Sequence, residues 1–181
     1  MNKIIYINNK IKSFKKKIEV TGDKSLSIRW AIMASLAIGK SRGYNLLRSE
    51  DVLNTLSCLK KLGIKINLKN DYCEIFGKGL DGYSYKNNLT LDAGNSGTAA
   101  RLITATLVKA TKTVKITGDA SLKRRDMNRI ITPLKKFGAT FKENKKGNLP
   151  IFIKGSGSLN SINYEELKGS AQCKSAVMLA A

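Results

Sequence analysis

Histidine is absent from the 181 residues of this chain. Its absence excludes Ser/His catalytic triads, HExxH metal sites and histidine general bases within the chain. Acidic residues are scarce as well, because 13 Asp and Glu stand against 33 Lys and Arg, which gives a formal net charge of +20. Any acid or base chemistry must therefore come from Lys, Asp, Glu or Tyr side chains.

Cysteine and long apolar runs are also few. Cys58, Cys73 and Cys173 are odd in number, widely spaced and free of any CxxC pair, which predicts reduced, structural thiols and neither a disulfide framework nor a zinc site. The longest apolar stretch, Trp30 to Ile38, is far shorter than the roughly 20 residues that cross a bilayer, so it predicts a buried helix. Asn and Lys interrupt residues 1–17, which argues against a secretory signal. We expect a soluble, cytoplasmic protein.

The positive charge favours an anionic partner. A basic surface attracts nucleic acid phosphates without reading their sequence. The basic runs at residues 15–17 and 145–146 contain no interleaved aromatic residues for base stacking, and most of the cations are lysines of the kind that solvated faces carry. We expect no nucleic acid partner and no membrane partner. A nucleic-acid-binding module remains an alternative that rests on charge alone.

Residues 34–41 approach a P-loop but do not complete it. Ala34 replaces the first glycine, and the run before Gly39 has a helical pattern where a P-loop needs strand, loop and then helix. The segment therefore does not predict a nucleoside triphosphate site.

An internal repeat organises the chain. Arg29 and Arg101 each open a helix-like apolar run, and Asp51 and Asp126 take matching places later in the two copies. A third copy begins near Lys174, and the sequence stops within its first helical turns. A repeat unit cannot bury its apolar face alone, so we expect the chain to be an incomplete N-terminal part of a larger protein.

Each copy has the pattern strand, helix, strand, helix, strand, strand, which predicts an α/β fold of repeated βαβαββ units. For the first copy the pattern predicts a strand ending at Val20, a helix capped by Asp23 or Ser25 and running to about Ile38 where Gly39 ends it, a strand at Tyr44–Leu47, a helix from Ser49 to Gly63, and strands at Ile64–Leu68 and Tyr72–Phe76. For the second copy it predicts a strand at Leu89–Leu91, a helix from Ser96 to about Lys109, a strand at Thr113–Thr117, a helix from Asp126 to Phe137, and strands near Ala139–Lys142 and Ile151–Lys154.

Polar, glycine-bearing segments open the first helix of each copy. They are GDKSLSIR at residues 22–29, GNSGTAAR at 94–101 and GSAQCKS at 169–175. Because they occupy equivalent places, the fold should bring three helix N-termini together, and free N–H groups at the positive end of a helix dipole bind anions. The cations beside them are Lys24, Arg29, Arg101 and Lys174. One such segment would be ordinary capping, but three in register favour an anionic ligand.

Four segments, in order along the chain, resemble motifs of EPSP synthase. GDKSLSIR resembles G-D/S-K-S-x-S-x-R, GNSGTAAR resembles G-N-A/S-G-T-x-x-R, GDASLKRRDM resembles G-D-x-S-L-x-x-R-P-M, and GSAQCKSAVMLAA resembles the helix start G-S-A/S-Q-x-K-S-A. The resemblance covers residues 18–181. The sister family that transfers enolpyruvyl to UDP-N-acetylglucosamine shares the repeat but carries a cysteine loop near the third motif. No cysteine lies between Cys73 and Cys173, so that family is the less favoured alternative.

The resemblance implies the enolpyruvyl transferase fold, an inside-out α/β barrel of two domains with three βαβαββ units each. This chain would supply two units and the start of a third. Unit 1 is then expected at about 18–80, unit 2 at about 88–155, and unit 3 from about 162. Residues 1–17, with a strand at Ile4–Ile7, would belong to the other domain.

The resemblance also implies a reaction. Enolpyruvyl transferases of this family move the enolpyruvyl group of phosphoenolpyruvate to the 5-hydroxyl of shikimate 3-phosphate and release phosphate, in the shikimate pathway to chorismate and the aromatic amino acids, with no metal or organic cofactor. Both substrates are phosphorylated carboxylates, so a cation-rich site suits them. In the family a C-terminal half supplies the acid/base groups and the complete enzyme is a monomer. We therefore expect the isolated chain to bind substrates without turning them over.

Residue roles follow from the matched motifs. The catalytic assignment is Lys24, which should touch both substrates. The shikimate 3-phosphate set is Lys24, Ser25, Arg29, Ser170, Ala171 and Gln172. The phosphoenolpyruvate set is Lys24, Asn95, Gly97, Thr98, Arg125 and Gln172. In the family the loop at Gly97 also lies against glyphosate, a competitor of phosphoenolpyruvate.

Four positions depart from the family pattern. Ile28 replaces a polar residue, Leu102 and Asp126 stand where proline is usual, and Ala171 replaces a hydroxyl residue found in one branch. Ala171 would then offer only its backbone to a ligand. We expect Asp126 to pair with Arg124 or Arg125, which bears on the role of Arg125.

Overall fold

Two β-sheets and the helices that pack on them form the part of the chain that the structure, a computed structural model, describes: Lys15, residues 17–166 and residues 168–181. The helices are α1 (Lys24–Leu36), α2 (Glu50–Lys61), α3 (Gly97–Thr106), α4 (Asn128–Lys136) and α5 (Ala171–Ala180). The strands are β1 (Ile38–Tyr44), β2 (Lys65–Leu68), β3 (Tyr72–Lys78), β4 (Leu89–Asp92), β5 (Val114–Thr117), β6 (Thr140–Lys142) and β7 (Ile151–Lys154). The strand predicted at Ile4–Ile7 lies outside the described residues.

The repeat is visible in the pairing of the strands. In the first sheet the order is β1-β3-β2 with antiparallel pairs throughout, and in the second the strands β5, β7 and β6 pair in the same way. Strand β4 adds to the second sheet in parallel with β5, and α3 forms the crossover between them. The observed architecture confirms the predicted α/β fold of repeated units.

Side-chain caps set where the first helix of each copy begins. The Asp23 carboxylate accepts a hydrogen bond of 2.7 Å from the Leu26 N–H at the start of α1. Ser96 and Ser170 do the same for α3 and α5, each through its hydroxyl oxygen at 3.2 Å. Capping of this kind satisfies backbone donors that have no partner within the helix. Of the two caps considered for α1, Asp23 is the one used.

Three predictions for the first copy are wrong. Helix α1 ends at Leu36, and Gly39, with φ of 93°, lies inside β1 rather than at the helix end. The pairing of β1 with β3 continues from Ile38 to Tyr44, so strand pairing outweighs the local glycine signal. Asn45 has a left-handed φ of 53° directly after the strand, which explains why no strand forms at Tyr44–Leu47. No strand ends at Val20 within residues 17–23 either.

The apolar core lies between the helices and the sheets, and α3 lies at its centre. Helix α3 packs on α1, α2, α4 and α5, and most of its residues are buried. Ile28 and Leu102, two of the departures from the family pattern, are fully buried in this core. They contribute apolar packing. Their chain neighbours Arg29 and Arg101 are only partly buried.

The three cysteines are free and buried, as the sequence predicted. Burial raises the pKa of the Cys58 thiol to about 12, which suppresses the reactive thiolate at neutral pH. Among the described residues, the helices are too short or too polar to cross a bilayer.

Candidate active site at three helix starts

Side chains from the starts of α1, α3 and α5 meet in one region. Arg29 of α1 donates to the Ser175 hydroxyl of α5, and Arg101 of α3 donates to the Gln172 side chain of α5. Helix α3 packs on both of the other two helices. The expectation that the repeat brings these three segments together is confirmed.

Lys24 reaches from the first turn of α1 to the first turn of α2. Its ammonium nitrogen lies 2.9 Å from the Asp51 carboxylate oxygen Oδ2. The Lys24 side chain is half exposed, whereas the Asp51 side chain is only 19% exposed. Asp51 was recognised in the sequence as a repeat marker but not as a site residue, and its position in the first turn of α2 was the available signal.

Arg29 is held by two helices. Its Nε and Nη2 atoms donate to the Ser175 Oγ at 3.3 Å and 3.2 Å, and its Nη1 donates to the Ser25 carbonyl at 3.3 Å. Sequence reasoning missed Ser175, although it belongs to the fourth motif segment. The serine orients the guanidinium across the boundary between the first and third copies.

Arg101 contacts three residues of this region through hydrogen bonds. Its Nη1 donates to Gln172 Oε1 at 2.8 Å and to the Gly97 carbonyl at 3.3 Å, and its Nη2 donates to the Asp126 carbonyl at 3.0 Å. Burial lowers the pKa of the Arg101 guanidinium, and the charges of Arg125 and Arg129 act in the same direction. An arginine nevertheless stays protonated, so Arg101 is a partly desolvated cation that an anion would stabilise.

Both the oxygen and the nitrogen of the Gln172 side-chain amide form hydrogen bonds. Its oxygen accepts from Arg101, and its Nε2 donates to the Thr98 hydroxyl at 2.9 Å. These two bonds fix which way the amide points, because an amide oxygen only accepts and an amide nitrogen only donates. Thr98 and Gln172, predicted on separate motifs to contact the same ligand, are therefore neighbours. Ala171 precedes Gln172 as the first residue of α5.

Arg125 and Asn95 are paired in the same region. The Nη2 atom of Arg125 donates to Asn95 Oδ1 at 2.8 Å. Gly97 lies close by, since a methyl group built on it would lie 2.8 Å from Arg101 Nη1 and 3.0 Å from Arg125 Nη1. The missing side chain of Gly97 keeps room for two guanidinium groups.

The ion pair expected between Asp126 and Arg124 or Arg125 does not form among the described residues. The Asp126 carboxylate accepts instead from the Asn128 backbone N–H at 2.8 Å, at the start of α4. A hydrogen bond to a backbone donor two residues away outweighs pairing with an exposed guanidinium here. Arg125 donates a hydrogen bond to Asn95 instead.

A cluster around Glu166 secures the segment that leads into α5. The Glu166 carboxylate accepts from the Tyr164 hydroxyl and from Arg129 of α4, whose Nη2 lies 2.5 Å away. These hydrogen bonds lower the pKa of Glu166, and burial, together with Glu166, raises the pKa of Tyr164 to about 12. The cluster lines a cavity of about 590 Å³ between this segment and α4. It docks the chain ahead of Ser170 onto the second copy.

The motif segments at these helix starts agree with comparisons to known proteins. A family model described as EPSP synthase (3-phosphoshikimate 1-carboxyvinyltransferase) matches residues 8–181. This chain belongs to the EPSP synthase family. The membership agrees with the motif order and with the repeated fold.

Two curated relatives carry the name 3-phosphoshikimate 1-carboxyvinyltransferase. The protein of Alkaliphilus metalliredigens is 45% identical over 175 residues, which are 96% of this chain and 41% of the relative. That of Streptococcus mutans is 42% identical over 165 residues, which are 91% of this chain and 38% of the relative. The chain thus spans about two fifths of the length of these relatives.

A solved structure of EPSP synthase from Acinetobacter baumannii matches the fold with a TM-score of 0.85. The two are 38% identical, and the match covers 92% of this chain and 38% of that one. The α/β fold of the EPSP synthase family is therefore shown for this chain. These names also favour the EPSP synthase branch over the UDP-N-acetylglucosamine alternative.

The observed geometry suits a ligand with more than one negative group. The cations around the three helix starts are Lys24, Arg29, Arg101 and Arg125. Guanidinium groups bind phosphate and carboxylate in a bidentate manner, and an ammonium acts as a point charge. Such a set can neutralise more than one anionic group of a ligand.

Proposed function

We propose that this chain supplies substrate-binding residues of a 3-phosphoshikimate 1-carboxyvinyltransferase. In this reaction the 5-hydroxyl oxygen of shikimate 3-phosphate bonds to the enolpyruvyl carbon of phosphoenolpyruvate, the C–O bond to phosphate breaks, and phosphate leaves with the hydroxyl proton accepted by solvent or protein. The observation that carries the proposal is the convergence of three helix starts, tied together by the hydrogen bonds of Arg29 and Arg101 to α5.

The assignment of residues to the two substrates is part of this proposal. Lys24 touches both anions; Ser25 and Arg29 bind shikimate 3-phosphate together with the start of α5 at Ser170 and Ala171. The neighbouring contacts of Asn95 with Arg125 and of Thr98 with Gln172 support a shared phosphoenolpyruvate pocket. Gly97 supports it too, since its open side leaves space beside two guanidinium groups.

Charge neutralisation is what these residues contribute to the chemistry. Phosphate departure builds negative charge on the leaving group, and fixed cations stabilise that charge in the transition state. The lowered pKa of Arg101 reflects a guanidinium that has lost part of its hydration. Such a cation interacts more strongly with a bound anion than one in open water.

A chimera tests the proposal directly. This chain would replace the matching segment of the Alkaliphilus metalliredigens relative, and phosphate release would be measured with both substrates and with each omitted. We expect release that requires both substrates, at a rate within tenfold of the parent protein. A folded chimera that releases no phosphate, while the parent is active, would contradict the proposal.

The unit boundaries at about 18–80, 88–155 and from about 162 remain a prediction within this proposal. So does the expectation that the 181-residue chain binds both substrates without turning them over. Calorimetric titration of the chain with shikimate 3-phosphate and phosphoenolpyruvate tests binding, and the phosphate assay on the same sample tests turnover. Equally tight, strongly salt-dependent binding of random DNA would favour the nucleic acid alternative instead.

A further inference from the structure

The Lys24–Asp51 contact joins a residue of the first motif to a residue outside every motif that relates the chain to its family. Asp51 belongs to none of the four motif segments, yet its Oδ2 lies 2.9 Å from the Lys24 ammonium. Helices α1 and α2, which carry the two residues, pack on each other. The carboxylate is therefore presented to Lys24 from a fixed neighbour.

Helix capping does not account for the position of the Asp51 carboxylate. At the equivalent place in the second copy, Asp126 precedes Met127, the N-cap residue of α4, and its carboxylate accepts from the Asn128 N–H two residues along the chain. In the first copy the N-cap of α2 is Ser49, and the first backbone donors of the helix, Val52 and Leu53, bond to the Ser49 carbonyl. The Asp51 carboxylate bonds to Lys24 instead. The same repeat position thus serves a local backbone donor in one copy and a cation in the other.

A lysine in this place needs such a partner. Its ammonium sits at the end of a flexible four-carbon stem and has three equivalent N–H donors. Among the described residues, Asp51 takes one donor, and the Lys24 side chain is half exposed, so the ammonium can also meet a ligand.

We propose that Asp51 is a positioning residue, which holds the Lys24 ammonium in place and remains paired with it while both substrates bind. The inference rests on the proposed function. If the Asp51 carboxylate only filled the empty site, an arriving anion would displace it. Substitution of Asp51 would then tighten anion binding. A positioning carboxylate has the opposite effect, since its removal lets the ammonium move among many rotamers and weakens both ligands.

The test is a set of affinities measured on the 181-residue chain by calorimetric or NMR titration with shikimate 3-phosphate and with phosphoenolpyruvate. We expect Asp51→Ala to weaken both ligands at least threefold and Asp51→Asn to give an intermediate loss. The matched control is Asp81→Ala, which removes another lysine–carboxylate pair, that of Lys109 at 3.1 Å. The control should leave both affinities unchanged.

A double-mutant cycle separates positioning from a general loss of structure. In the Lys24→Met background, Asp51→Ala should cause no further loss of affinity, because there is no ammonium left to position. Melting temperatures of all variants show whether the fold is retained. A further loss in the Lys24→Met background would show that Asp51 acts on the structure, and would overturn the inference.

The remaining outcomes distinguish the inference from the proposed function. If Lys24→Met weakens binding but Asp51→Ala leaves it unchanged or tightens it, the positioning role is wrong and the proposed function stands. If wild type and Lys24→Met bind both ligands alike, the role of Lys24 is wrong and the positioning role falls with it.

Discussion

Gln172 and Arg101 join the third copy to the second through a hydrogen bond of 2.8 Å between the amide oxygen and the guanidinium Nη1. The other end of the same amide donates to Thr98. A single side chain therefore sets the spacing between the starts of α3 and α5. This spacing defines the pocket that we propose for phosphoenolpyruvate.

Gln172→Leu tests this relationship. The leucine fills a similar volume but breaks both hydrogen bonds, so Arg101 keeps only its bonds to the Gly97 and Asp126 carbonyls. In the chimera we expect the KM for phosphoenolpyruvate to rise at least tenfold, which is about 1.4 kcal/mol. Thr98→Val removes only the neutral bond, worth about 0.5–1.5 kcal/mol, and should have a smaller effect. Equal KM values for Gln172→Leu and the unmodified chimera would contradict the assignment.

Lys24→Met tests the cation proposed to lie between two anions. Loss of its charge should lower kcat/KM for both substrates by at least tenfold, about 1.4 kcal/mol of transition-state stabilisation. Lys145→Met, at an exposed turn far along the sequence from the three helix starts, removes the same charge and should retain activity. Steady-state kinetics of the two chimeras decide the matter, and an unchanged efficiency for Lys24→Met would refute its role.

Gly97→Ala tests the space beside the two guanidinium groups. Gly97 begins α3 and is not among the glycines with positive φ, so alanine fits the backbone there. Its methyl group would lie 2.8 Å from Arg101 Nη1 and force flexible side-chain ends to move. We expect little change in melting temperature, and a larger rise in the inhibition constant of glyphosate than in the KM for phosphoenolpyruvate. Equal rises in the two constants would argue against this placement of the loop.

Ser175→Ala tests the hydroxyl that orients Arg29. The substitution removes the acceptor of two guanidinium N–H groups of Arg29. We expect the KM for shikimate 3-phosphate to rise severalfold with little change in kcat. Ser175→Thr keeps the hydroxyl and should restore the lower KM. A threonine variant as weak as the alanine variant would point to packing rather than to orientation of Arg29.

The Glu166 cluster predicts a pH-dependent stability. Hydrogen bonds from Tyr164 and Arg129 lower the pKa of Glu166 below its ordinary value of 4.5. A carboxyl group whose pKa is lowered by folding stabilises the fold above its unfolded-state pKa, and this contribution disappears as the pH falls through the folded-state pKa. Glu166→Gln should therefore melt below wild type at neutral pH, and the gap should close at pH values below about 4.5.

Thermal melts of wild type and Glu166→Gln across this pH range measure the gap. Glu165→Gln is the matched control, because Glu165 is the exposed neighbour of Glu166. The control should show no gap at any pH. A gap for Glu166→Gln that persisted below the folded-state pKa would show that the hydrogen-bonded carboxylate is not its source.

The sequence was most informative where chemistry is local. Capping side chains, turn glycines and apolar periodicity act within a few residues, so the helix starts at Asp23 and Ser96 could be predicted from the chain alone. The repeat also allowed a prediction about segments far apart in the chain, because equivalent segments must occupy equivalent places. The grouping of the three helix starts followed from that argument.

Contacts between distant segments could not be predicted in the same way. Strand β1 begins at Ile38 because β3 offers a partner along its whole length, and no local pattern contains that information. Asp51 and Ser175 escaped notice as site residues for the same reason, since their roles depend on side chains 27 and 146 positions away in the chain. Asp126 shows the converse, because a nearby backbone donor outweighed the arginines that charge alone suggested.

The central place of α3 has a consequence for the exchange of amide hydrogens with solvent. The helix packs on α1, α2, α4 and α5 and most of its residues are buried, so we expect its amides to exchange only when contacts between the copies open. Strand β1, whose residues are mostly exposed, can release its amides by local opening. The slowest deuterium uptake in α3 therefore reports how strongly the two copies cooperate in unfolding, and uptake in β1 reports the fraying of one copy alone.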